Sequence, residues 1–164
     1  MWLDFLRDYE KAIFPILTFL LGFASSRFTM TMSERKQYEQ KLFENGKQLL
    51  EAQNARFQEL SSALQKYASR SGEPTLDDFF EVSTVGEKYF YQLEICSDAI
   101  LLGKVDSETR DKTLVPRIRD AVKKTLPTFY EVLQSIASKR GIEYHGKLRR
   151  EDYEGLFTVV EKYA

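Results

Sequence analysis

The chain has 164 residues, of which 43% are hydrophobic, 13% aromatic and 30% charged, and its net charge is −1. That is enough for one compact domain with length left over for an extended helix or an anchor, which excludes two full catalytic domains and disorder throughout. Cys96 is the single cysteine and His145 the single histidine, so an internal disulfide framework and a zinc site built from His and Cys are both excluded, and a reducing, cytosol-facing body fits best.

With four prolines, eight glycines and one hairpin-type dipeptide, Asn45-Gly46, which itself lies inside a helical pattern, the chain lacks the regular turn signals of an all-β fold. The predicted class is all-α. Its order is an N-terminal hydrophobic helix that reads as a membrane anchor (1–32), a long amphipathic coiled-coil-like helix (33–70), and a small antiparallel helical bundle as head (75–164).

At the N-terminus Trp2, Leu3, Phe5, Leu6, Tyr9 and Ile13 fall mainly on one helical face, as in an interfacial helix. Residues 12–26 are uncharged and dense in Ile13, Phe14, Ile16, Leu17, Phe19, Leu20, Leu21 and Phe23. At about 1.5 Å per residue this run is shorter than a hydrocarbon core of about 30 Å. If Arg27 snorkels, the run extends to Met32, and a single-pass or re-entrant anchor becomes the preferred reading. A hydrophobic helix buried in a protein core is the rival, favoured by the short run and by Pro15. A cleaved signal peptide is opposed by Asp4, Asp8 and Glu10. Arg7 and Lys11 precede the run and Arg27, Arg35, Lys36 and Lys41 follow it, a bias that puts the C-terminal body in the cytoplasm.

From Ser33, the expected N-cap, to about Arg70 the chain has no proline and is rich in Glu, Lys, Gln, Ala and Leu. Phe43, Leu50, Phe57 and Leu64 share one heptad position, and Leu60 and Tyr67 fill the complementary one. Gly46 and Gln53 interrupt that second position upstream, so the helix is expected to pack on a body or on a partner rather than to form a clean zipper.

Gly72 and Pro74 mark a hinge, after which Thr75 and Asp78 form a capping-box-like start. The following helix should run to about Gly103, with Phe79, Val82, Tyr89, Leu93, Cys96 and Ile100 inside and Gly86 at a close helix crossing. Ser107 is expected to cap a helix through Leu114, Ile118 and Val122. Pro116 should kink it or mark a later start, and Pro127 should stop or bend it. A new helix then starts at Thr128, carries Phe129, Leu133, Ile136 and Ala137 inward, and ends at Lys139-Arg140-Gly141. The last helix starts near Arg150, with Tyr153, Phe157, Val160 and Tyr163 as its apolar side.

Charge is segregated along the chain. Residues 73–98 hold seven acids against Lys88, a net of −6, and residues 110–150 hold eleven bases against four acids, a net of +7. The simpler explanation is acidic and basic helices side by side in one bundle; the sharper one is a basic face for phosphate, lipid or nucleic acid. Lys139, Arg140, Lys147, Arg149 and Arg150 bracket one loop and form the candidate phosphate or partner site, but with only Tyr144 near them base stacking is not supported. His145 in the same loop has no nucleophile beside it, Cys96 lies on an apolar stripe, and Asp77-Asp78 belong to a first helical turn, so none points to catalysis. No phosphate-cradling glycine loop, cofactor motif or small-molecule substrate site is evident.

The preferred function is therefore a membrane-anchored, non-enzymatic helical scaffold or adaptor that oligomerises through its long helix and binds a protein partner. A membrane-perturbing effector regulated by the helical head, and a soluble subunit that binds nucleic acid or phosphates through residues 110–150, are the alternatives.

Overall fold

The computed structural model describes residues 31–163, and the anchor residues Trp2, Phe5, Ile13, Phe14, Ile16, Leu17, Phe19, Leu20, Leu21 and Phe23 lie outside them. The described residues are all-helical, with no strand. Four helices account for them: α1 (Met32–Ala68), α2 (Leu76–Leu101), α3 (residues 107–140, continuous but irregular) and α4 (Glu154–Tyr163). Among the described residues no helix is long and apolar enough to cross a membrane.

α1 begins two residues earlier than its composition suggested. Thr31, not Ser33, closes the first turn: its backbone N–H donates to Glu34 Oε2 at 2.8 Å, and the Glu34 N–H donates to Thr31 Oγ1 at 3.3 Å. Thr31-Met32-Ser33-Glu34 is a capping box, in which a hydroxyl and a carboxylate three residues apart satisfy each other's backbone donors. In the first unit of the chain every described residue, 31–40, is exposed. In the second unit, Lys41–Ala164, α1 turns Gly46, Gln53, Leu60 and Ala63 inward. Gly46 and Gln53, the apparent interruptions of the complementary heptad position, thus face the core. Leu50, Leu64 and Tyr67 pack half-buried at its edge, while Phe43 and Phe57 remain exposed.

α2 is the central element. Thr75 caps it reciprocally with Asp78, whose carboxylate also pairs with Arg70 across the hinge. Hydrogen bonds from Thr75 hold the Asp78 carboxyl below the usual aspartate range, with Arg70 adding to the effect. The buried face carries Val82, Tyr89, Phe90, Leu93, Cys96 and Ile100. Gly86 lies under the Phe129 ring, where any Cβ would collide, so the glycine permits a close crossing with α3. The helix ends at Gly103 in the left-handed region, with φ of 66°, which suits glycine because a side chain there would clash with the backbone.

Segments expected to be two helices form one. α3 runs through Pro116 and Pro127 by widening to a π turn immediately before each, at Arg110–Leu114 and at Ala121–Thr125. Proline has no N–H to donate and its ring collides with the carbonyl four residues back. A π turn opens the helix at that point: the Val115 N–H reaches back to the Arg110 carbonyl and the Leu126 N–H to the Ala121 carbonyl, one residue further than in an α-helix. The buried residues record the extra residue. Leu114, Ile118 and Ala121 follow helical spacing, the next is Leu126 five positions on, and Phe129, Leu133 and Ile136 then resume it. Ala121 therefore takes the inward position expected for Val122, which is half-buried.

α3 ends at Gly141, again left-handed with φ of 65°, and the Ile142 N–H bonds to the Ala137 carbonyl at 2.9 Å. After the loop a 3₁₀ turn, Arg150–Tyr153, leads into α4, which starts at Glu154 rather than near Arg150. Leu156 and Val159 of α4 are fully buried against α2 and the Val115–Asp120 stretch of α3.

Candidate functional site

A cleft of about 430 Å³ is lined by three helices of the second unit: Gln53, Asn54 and Phe57 from α1, Tyr89 from α2, and Arg117, Asp120, Ala121 and Thr125 from α3. Two of its features follow from the irregular helix. Arg117 comes directly after Pro116, and Ala121 and Thr125 begin and end the second π turn. Such turns shift side chains off the regular helical face and recur at functional sites.

Arg117 is half-buried and held by neutral groups. Its Nη1 donates to Gln53 Oε1 and to Asn54 Oδ1, both on α1. Gln53 is only 2% exposed, so a polar side chain occupies what would otherwise be a core position of α1. Asp120, the acid in the wall, pairs with Lys124 at 3.7 Å and not with Arg117. Tyr89 and Phe57 form an aromatic side, with ring centroids 5.7 Å apart. Burial pushes the Tyr89 hydroxyl above the ordinary phenol range, opposed in part by the Gln53 amide and the Arg117 charge, so it stays protonated at neutral pH.

Other buried and half-buried polar groups lie beyond the cleft. The Glu94 carboxyl sits at the start of α4, over Gly155, and burial raises its pKa while backbone N–H groups of Leu156 and Gly155 oppose the rise. Glu94 Oε1 and the neighbouring Ser97 hydroxyl have no hydrogen-bond partner among the described residues. Tyr130 and Tyr153 share a hydroxyl–hydroxyl bond of 3.0 Å, and burial drives the Tyr153 pKa up. Cys96 is fully buried and its thiol is pushed up to about 11 by burial, which keeps it protonated.

Two residues of the basic loop cluster have acidic neighbours. Arg140 lies 3.9 Å from Glu73, Arg150 pairs with Glu161 and stacks over Phe157 at 5.1 Å, and Lys139, Lys147 and Arg149 make no ion pair among the described residues. His145 is exposed and bonds Glu143 at 3.0 Å. Between the acidic segment 73–98 and the basic segment 110–150, Arg140–Glu73 is the one ion pair among the described residues. The charge segregation therefore serves mainly water-facing surfaces. No group of three or more His, Cys, Asp or Glu placed to hold a metal ion occurs among the described residues.

The cleft was not anticipated from the sequence. Its signal was present as a polar Gln-Asn pair in the apolar register of α1 and as the five-residue step around Pro127. Comparison with known proteins adds nothing to the geometry: no family model, no curated protein and no solved structure matches the chain.

Proposed function

We propose that this chain is a non-enzymatic helical scaffold or adaptor, anchored at a membrane through residues 1–32, self-associating through α1 and binding a protein partner on the cytoplasmic side. The observation that carries this reading is the outer face of α2, where Phe80, Tyr91 and Ile95, with Leu102 at its C-cap, are all exposed. At about 100° per residue these four fall within an arc of about 60°, which makes one apolar stripe along the helix. Asp77 and Asp98 lie in the same arc and are exposed, and Glu87 and Lys88 border it on either side. Large apolar side chains lined up in water on a chain that has a well-filled core mark an interaction surface. Their acidic company favours a partner helix that carries apolar residues flanked by Lys or Arg. The exposed Phe43 ring supports self-association through α1, and the uncharged run 12–26 supports the anchor.

Two measurements test it. Fractionation with carbonate and detergent washes should leave the full chain in the membrane pellet until detergent is added, while a chain starting at Ser33 should be in the supernatant. A photo-crosslinking residue at position 91 should trap a partner in cells, and one at Lys112, which is exposed on α3, should not. Equal trapping at both positions removes the interface, and a soluble full chain removes the anchor.

A further inference from the structure

We propose that the cleft around Arg117 binds a small planar carboxylate, with the guanidinium pairing the anion and the Phe57 and Tyr89 rings covering the apolar part. This inference does not rest on the adaptor reading.

The first observation is an uncompensated cation in a built setting. Arg117 is half-buried, yet the groups that fix it are the amide oxygens of Gln53 and Asn54, both bonded to Nη1. Amide oxygens orient a guanidinium without cancelling its charge. Burying part of an ion with no counter-charge is costly, and an arriving anion offsets that cost. Arg70, which also spans two elements of this chain, has a carboxylate partner in Asp78. Among the described residues the Nε and Nη2 groups of Arg117 donate to no protein acceptor, so the edge of the fork that suits bidentate carboxylate recognition is unused.

The second observation is the character of the walls. Phe57 is 44% exposed although it faces the buried Tyr89, an arrangement that leaves a ring face open to a ligand. The volume, about 430 Å³, falls in the usual range for small-molecule sites. The lining holds one cation and one acid, Asp120. That balance favours a monoanion: a phosphate dianion would meet the Asp120 charge with only a single guanidinium to hold it.

The test uses the full chain in mild detergent, with benzoate as probe, benzamide as its neutral counterpart and phenyl phosphate as the dianion, followed by titration calorimetry. Benzoate should bind saturably, benzamide should not, and phenyl phosphate should bind more weakly. Arg117→Lys should weaken benzoate about tenfold or more, because a point ammonium cannot reproduce the planar pair. Phe57→Ala, at a half-open ring whose removal leaves the core intact, should weaken it without affecting the preference for the anion. Circular dichroism and the melting temperature establish that each variant is folded. The proposal is overturned if benzoate shows no saturable binding at roughly 1 mM, if folded Arg117→Lys binds it unchanged, or if phenyl phosphate binds as well as benzoate.

Discussion

α1 and α3 are of similar length, yet they solve opposite problems. α1 is an uninterrupted helix of 37 residues made from strong helix formers, and it buries only Gly46, Gln53, Leu60 and Ala63. α3 carries two prolines and two π turns, and it supplies Leu114, Ile118, Ala121, Leu126, Phe129, Leu133 and Ile136 to the core. Regularity and contribution to the core are thus separate properties. Local propensity is enough to make a helix like α1, whereas α3 keeps its course because packing on both sides of each proline repays the distortion.

The sharpest test of that contrast is cavity formation. Leu133→Ala or Ile118→Ala in α3 should each cost about 2–5 kcal/mol in urea unfolding, since both side chains are fully buried. Equal losses from truncations in α3 and at the exposed positions of α1 would break the comparison.

A deletion addresses the π turn itself. Removing Lys124, an exposed residue, should convert the Ala121–Thr125 turn to α-helical spacing and keep the buried faces of α3 in register. Pro127 would then sit in a regular helix interior, at a cost of about 3 kcal/mol. Adding Pro127→Ala to the deletion should recover most of that loss, measured by the same unfolding curves; no recovery would mean that the extra residue, not the proline, is what the packing requires.

The caps give the next largest effect. Thr75→Ala should cost about 1 kcal/mol, because it removes the bond to the Asp78 N–H and the hydroxyl that steadies the Asp78 carboxylate. The pH dependence has a definite sign. The Asp78 pKa is depressed in the folded state, so its contribution is complete above the unfolded value of about 3.9 and is lost as pH falls through the folded value. Glu94 is the opposite case: its raised pKa means that the unfolded chain ionises first, so stability falls as pH rises from about 4.3 through the native value. Glu94→Gln should flatten that part of the stability–pH profile, and an unchanged slope would remove Glu94 as its source.

The smallest effect is expected on α1. Phe43→Ala, at a ring that is 57% exposed, should change the stability of the monomeric fold by no more than about 0.5 kcal/mol. A larger loss that grows with protein concentration would instead show that Phe43 is covered in an oligomer, which would sharpen the case for self-association through this helix.

Much of the fold is legible in the residues themselves. The all-α class, the hinge at Gly72 and Pro74, the Thr75–Asp78 box, the glycine ends at Gly103 and Gly141 and the inward face of α2 all follow from short-range rules, because caps and left-handed glycines are decided by atoms within a few residues of each other. The Thr31–Glu34 box was equally local, and its spacing was there to be read. What only the tertiary structure decided is of another kind. Whether Pro116 and Pro127 end a helix or are absorbed by π turns depends on the packing of the buried residues on both sides of each proline. Which seam of α1 faces inward depends on Arg117 arriving from α3 to satisfy Gln53. The cleft exists only once three helices meet, since its cation lies more than sixty positions from the amides that hold it, Tyr89 comes from a third helix between them, and none of these residues attracts notice alone.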